Sequence, residues 1–264
     1  MKKILLLTGV LLALTSSLAS ALVPGLDMGW TTNATNGCPA NVGSIPDVTD
    51  GCADAFASYS YALSFAAPAG ITRWVGEEII IDVQTSAAIL PDWWHLEAAN
   101  AGLGIPAGCR DGSFGFTTQK GLGNTATCKD YWGASPQSGG TVWLPGNGGP
   151  ARTRLFGAFA RATSTAIGIT AGTNYYVGSG ALDTNHAPGD PTTTQPCQGC
   201  DLGACLVFQY IKVAQPAGTP GGDALITDQH NRRYMTWQGG VGTGCPQATP
   251  TRKATWGQVK SLYR

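Results

Sequence analysis

Strict alternation of apolar and polar residues marks the clearest strand of this chain, where Tyr59, Tyr61, Leu63 and Phe65 alternate with Ser58, Ser60, Ala62 and Ser64. A period of two puts one set on a buried face and the other on a wet or lightly covered one. After Pro68 and Gly70, the stretch Trp74–Trp94 carries the densest β-branched run. Val75, Glu77, Ile79, Ile81 and Val83 fall on one face there, and Trp74, Gly76, Glu78, Ile80, Asp82 and Gln84 on the other. The short link between the two runs predicts that they pair antiparallel. Ala87–Leu90 is a candidate short strand before Pro91.

Further strand character lies in Ser113–Thr117, Thr141–Leu144, RLFGAFARA from Arg154, AIGIT from Ala166 and NYYV from Asn174. Cys205–Val213 is apolar on both faces, as a central strand would be. LITDQ and RRYMTWQ then predict a hairpin across His230-Asn231. Residues 22–54 show little periodicity and read as turns. Short strands between turn signals, without a helix-length pattern, predict an all-β antiparallel sandwich at 55–245. Beyond it, residues 246–264 form a basic tail. Thr255 caps a short helix there in one reading, with Trp256, Val259 and Leu262 or Tyr263 on one side and Arg252, Lys253, Lys260 and Arg264 around it. A docking segment that covers an open end of the sandwich and a C-terminal recognition tag both fit that pattern.

Composition adds the compartment. Lys2 and Lys3, the apolar Ile4–Leu14 and the Ala19-Ser20-Ala21 cleavage pattern read as a signal peptide over residues 1–21. No later run is long enough to span a membrane, so the expected location is secreted or cell-surface, outside a bacterial cytoplasm. Without Lys2 and Lys3 the sixteen basic residues become fourteen against sixteen acidic ones. A formal charge of minus two gives no steering toward nucleic acid or anionic lipid. The expected partners are an extracellular protein, a glycan, or further copies of the chain.

Eight cysteines behind a signal read as disulfides. Spacing suggests Cys38–Cys52 and Cys109–Cys128, leaving Cys197, Cys200, Cys205 and Cys245 as a late set. That set has the spacing of a four-thiolate zinc site, but an oxidising compartment favours disulfides.

Reaction chemistry is sparse. There is no GxSxG elbow and no HExxH helix, and His95, His186 and His230 lie far apart. Glu77 and Glu78 point to opposite faces of a strand, so they make no glycosidase pair and read as a solvated strand start. Gly240-x-Gly242-x-Gly244 opens no helix and is a turn. Asp183, Asn185 and Asp190 offer oxygens to a structural calcium, although not at EF-hand spacing. No other cofactor is expected. Trp30, Trp93, Trp94, Trp132 and Trp143 sit at loops or strand ends, where they either plug the sandwich or stack on a sugar or partner. The expected binding residues are Asp92, Trp93, Trp94, His95, Trp132 and Trp143. A non-catalytic binding or structural module is therefore expected. A hydrolase built on Asp92, His95 or Glu97, and a filament or surface-layer subunit, are the alternatives.

Taken together, PDWW (91–94), Cys109-Arg110, CQGC (197–200), TWQGG (236–240) and TWGQVKSLYR (255–264) make most of the mature chain resemble a group of uncharacterised secreted bacterial proteins. That resemblance implies no activity. At fold level alone the strand pattern is similar to Ig-like and cohesin-like sandwiches.

Overall fold

The computed structural model describes residues 23–31, 46–53, 57–118, 128–133, 138–191, 193–242 and 245. The expected signal peptide, Cys38 and the tail at 246–264 lie outside them. Among the described residues no helix is long and apolar enough to cross a membrane.

The strands are β1 (Gly25–Trp30), β2 (Asp47–Val48), β3 (Ser58–Ala66), β4 (Gly76–Thr85), β5 (Lys129–Asp130), β6 (Ser138–Pro145), β7 (Arg152–Ala160), β8 (Asn174–Asp183), β9 (Ala204–Ala214), β10 (Ala224–Ile226) and β11 (Tyr234–Trp237). They form an all-β sandwich. The smaller sheet has the order β1-β3-β8-β5, and the larger has β2-β11-β9-β4-β7-β6 with β10 also on β9. Pairing is antiparallel except at the two-residue strands β2 and β5.

The period-two faces of β4 hold. Ile79, Ile81 and Val83 have no exposed surface and pack with Leu63, Phe65, Leu206 and Phe208 between the sheets. The predicted pairing of β3 with β4 does not hold, for each lies in a different sheet. Strand β4 takes a central place between β7 and β9, while β3 lies between β1 and β8. The turn through Gly70, whose φ of +93° favours glycine, carries the chain from one sheet to the other. Strands β10 and β11 form no hairpin either. Both pair antiparallel with β9, one beyond the other along the same edge, so they run in the same direction. Ala87–Leu90 and Ala166–Thr170 are not strands, apart from a single bridge from Ile167 to Trp74. Residues 25–30, read as turns, are a fully buried strand whose two glycines and aspartate hid its character.

Three disulfides are described, Cys52–Cys200, Cys109–Cys197 and Cys205–Cys245. The expected pairs Cys38–Cys52 and Cys109–Cys128 are both overturned, because the fold brings Cys52 and Cys109 to the loop at 197–200. Cys128 is also disulfide-bonded, to a partner outside the described residues. No described cysteine is free, which removes the zinc alternative for them. Separations of 148 and 88 residues place each of the first two bonds at about 4–5 kcal/mol on the chain-entropy view.

Candidate functional site

The Pro91–Glu97 corner follows β4 and is built inward. Asp92–Trp94 makes one 3-10 turn, with Trp94 N donating to Pro91 O and His95 N to Asp92 O. Trp93 N donates to Gln198 O, tying the turn to the disulfide loop. Trp93 and Trp94 are both 0% exposed. Trp93 stacks on Trp237 with centroids 6.1 Å apart, and Trp94 meets the same ring edge-on. These indoles plug the end of the sandwich. The expectation that they offer a stacking surface is corrected, since an indole without accessible surface has no face to give a sugar.

The other face of Trp93 is covered by Arg110, whose guanidinium carbon lies 3.2 Å from the ring centroid. Arg110 is fully buried. Its Nε donates to Asn185 O, Nη1 to Trp93 O, and Nη2 makes a short bond to Asp183 O. Burial lowers the guanidinium pKa to about 9, with the Asp183 carboxylate acting against that shift. The 183–190 loop thus turns two carbonyls onto a cation already, and Asp190 accepts the amide of His186.

His95 is the exposed element of the corner, with its side chain 31% accessible against 3% for Glu97. Its Nδ1 lies 2.7 Å from Glu97 Oε1. That bond raises the imidazole pKa, burial opposes it, and Asp92 and a bond to the Leu90 backbone add to the rise. Residues 108–110 fix the pair from the side: Gly108 N donates to Glu97 O and Arg110 N to His95 O. A side chain at 108 would collide with His95 O at 2.3 Å, so glycine is needed there. An imidazolium whose protons are held by a carboxylate and a carbonyl is a poor general base.

The remaining expected residues are not gathered here. Trp132 packs on Trp74 and Tyr131 beside the start of β4, at the strand end opposite the corner. Trp143 faces inward from β6 against Phe114. Both are buried, as is Trp30, so all these aromatics belong to the core. Glu77 is buried as well, which corrects its reading as a solvated strand start. Tyr131 donates a short bond to its Oε2, and Oε1 has no partner. Among the described residues the one ligand-type cluster is Asp50 with Cys52 and Cys200, whose sulfurs bond each other.

What the sequence pattern did not single out is the outer face of the larger sheet. Val142, Phe156, Ile80 and Tyr210 are aligned across β6, β7, β4 and β9. The next aligned row is Leu144, Arg154, Asp82 and Val207, with Tyr234 of β11 opposite Val207. Ile80 and Val207 are 7% and 6% exposed, yet neither joins the inter-sheet core. Charges frame this patch: Asp82 takes Arg154 at 2.5 Å, Arg152 bonds Gln84, and Lys212 bridges Glu78 and Asp223 at 3.2 and 3.3 Å. The alternation in β4 and β7 could have pointed to it, had the register been known.

No family model matches the chain, and no curated protein does. Among solved structures it is similar to a cohesin module from a Clostridium perfringens family 33 glycoside hydrolase, at 9% identity and a TM-score of 0.33 over 81% of this chain and 98% of that one. At that score the likeness carries no weight for function.

Proposed function

We propose that the protein is an extracellular, non-catalytic recognition module that holds a protein partner on the outer face of its larger sheet. The observation that carries this reading is the row Val142, Phe156, Ile80 and Tyr210, apolar and framed by ion pairs. Sheet faces that meet only water normally alternate to polar residues. An apolar centre with a charged rim is the anatomy of a protein interface. The disulfides, together with the signal-like pattern of residues 1–21, support placement outside the cytoplasm.

For catalysis by Asp92, His95 or Glu97 the corner offers one pair, His95 Nδ1 on Glu97 Oε1, with Glu97 Oε2 buried and without a hydrogen-bond partner. Arrays of extracellular proteins and glycans test the proposal. Binding to a protein that is lost in Phe156→Asp and kept in His95→Ala is the expected result. Retention of glycans alone, or binding indifferent to Phe156→Asp, would remove it.

A further inference from the structure

We infer that the resident occupant of this outer face is the chain's own C-terminal segment, residues 246–264. The inference rests on the reading of the face as a binding surface and adds that a partner must displace something to reach it.

The disulfide supplies the geometry. Cys205 lies opposite Gln84 of β4 on one side and Thr236 of β11 on the other. Gln84 shares the outer face with Asp82 and Ile80, and Thr236 falls between the core residues Met235 and Trp237, so Cys205 also points outward. After β11 the chain turns back over this position. A Cβ on Gly240 would lie 2.9 Å from Thr236 Cγ2 and 3.4 Å from Cys205 Sγ. Cys245 then bonds Cys205 with its Cα 5.4 Å away. The disulfide therefore delivers the start of the C-terminal segment onto the outer face, beside the rows that carry Val207, Tyr234 and Tyr210.

Reach and chemistry agree with that placement. From Cys205 to Tyr210 the strand covers about 16 Å at ~3.3 Å per residue. From Cys245 to Trp256 the chain can span up to about 36 Å. Trp256, Val259, Leu262 and Tyr263 match the apolar row, and Arg252, Lys253, Lys260 and Arg264 are all cationic. The rim carries charges of both signs. Near Cys205 it holds Arg152, Arg154 and Asp82, a sum of plus one, and beyond the apolar row it holds Glu78, Asp223 and Lys212, a sum of minus one. With Trp256 on the apolar row, Lys260 and Arg264 follow it toward the acidic part of the rim, whereas Arg252 and Lys253 precede it and gain nothing from that charge.

Limited trypsin digestion of the full-length oxidised protein tests this at Arg252, Lys253 and Lys260. Cleavage at these sites is expected to quicken by roughly tenfold or more in Phe156→Asp, since digestion follows the population of the undocked state. Trp256→Ala must do the same without touching the sandwich, and thermal melting confirms that both variants stay folded. Equal rates within about twofold in wild type and both variants would overturn the inference. Protection that vanishes on dilution would overturn it too, because the occupant would then be a second copy. If the tail is unprotected while Phe156→Asp still abolishes partner binding, this inference alone fails. If the tail is protected and partner binding ignores Phe156→Asp, the proposed function fails instead.

Discussion

Tyr131 donates its phenolic hydrogen to Oε2 of Glu77, a carboxyl group 2% exposed on the inner face of β4. Trp74 covers Tyr131 with centroids 4.1 Å apart, and Arg161 bonds Tyr131 O. A buried acid thus fastens the segment at 128–133 to the start of the central strand.

Burial raises the Glu77 pKa well above the usual carboxylate range. A carboxyl group whose folded pKa exceeds its unfolded value destabilises the fold as pH rises between the two, and is without effect below both. His95, also raised, contributes stability that is full below about 6.5 and lost as pH rises through its folded value. Both groups make the protein most stable in mild acid. Glu77→Gln is expected to match wild type near pH 4 and to exceed it at pH 8 by roughly 1–3 kcal/mol, the scale of a buried polar group left unpaired. Urea denaturation across that range checks the point. A difference that does not change with pH would sink it.

Arg110 holds three carbonyls and one indole face at once. Arg110→Lys keeps the charge but loses the planar stack and two of the donor directions. A loss of roughly 2–4 kcal/mol is expected, in the range of buried network breakage. Because the guanidinium already supplies the cation at the 183–190 loop, a calcium chelator is expected to leave the melting temperature of wild type unchanged. A fall of several degrees on adding EDTA would restore calcium to that loop.

How much of this was legible in the chain depends on the range of the interaction. Alternation from Ser58 to Phe65 and from Val75 to Val83 is a local property, and it located two strands and their faces. Which strand lies beside which is not local, so β3 and β4 were paired wrongly although each was found. The cysteines fail for the same reason: spacing favours near neighbours, while the fold brings Cys52 to Cys200. Trp93 and Trp94 were visible as an aromatic corner, but their burial depends on Arg110 and Trp237, which are remote in sequence. Glu77 was placed on the right face, yet its burial under Tyr131, 54 positions away, was missed for the same reason.

The disulfide topology has a chemical check. Digestion without reductant is expected to yield a peptide joining Cys109 to Cys197 and another joining Cys52 to Cys200. Replacing Cys109 and Cys197 together by serine is expected to cost about 4–5 kcal/mol on the chain-entropy view, against about 3 for a short local loop. A Cys109–Cys128 peptide in the digest would contradict the fold at the corner itself.

The two sheets are also joined by one buried carboxylate. Asp27 of β1, with no exposed surface, accepts His230 Nδ1 at 2.7 Å, Asn231 N at 2.8 Å and Arg232 N at 3.2 Å. Leu26 N and Met28 N donate to Asp228 O and Arg232 O on either side. The loop between β10 and β11 of the larger sheet is thereby sewn to the edge strand of the smaller one. Asp27→Asn keeps the shape but weakens charge-assisted bonds, and a loss of roughly 1.5–3 kcal/mol is expected. His230→Ala leaves both backbone donors in place and should cost less. If the contact works as a unit, the double variant will cost less than the two single losses added together. Full additivity in denaturant titrations would show that Asp27 acts through the Asn231 and Arg232 amides alone, with His230 outside the joint.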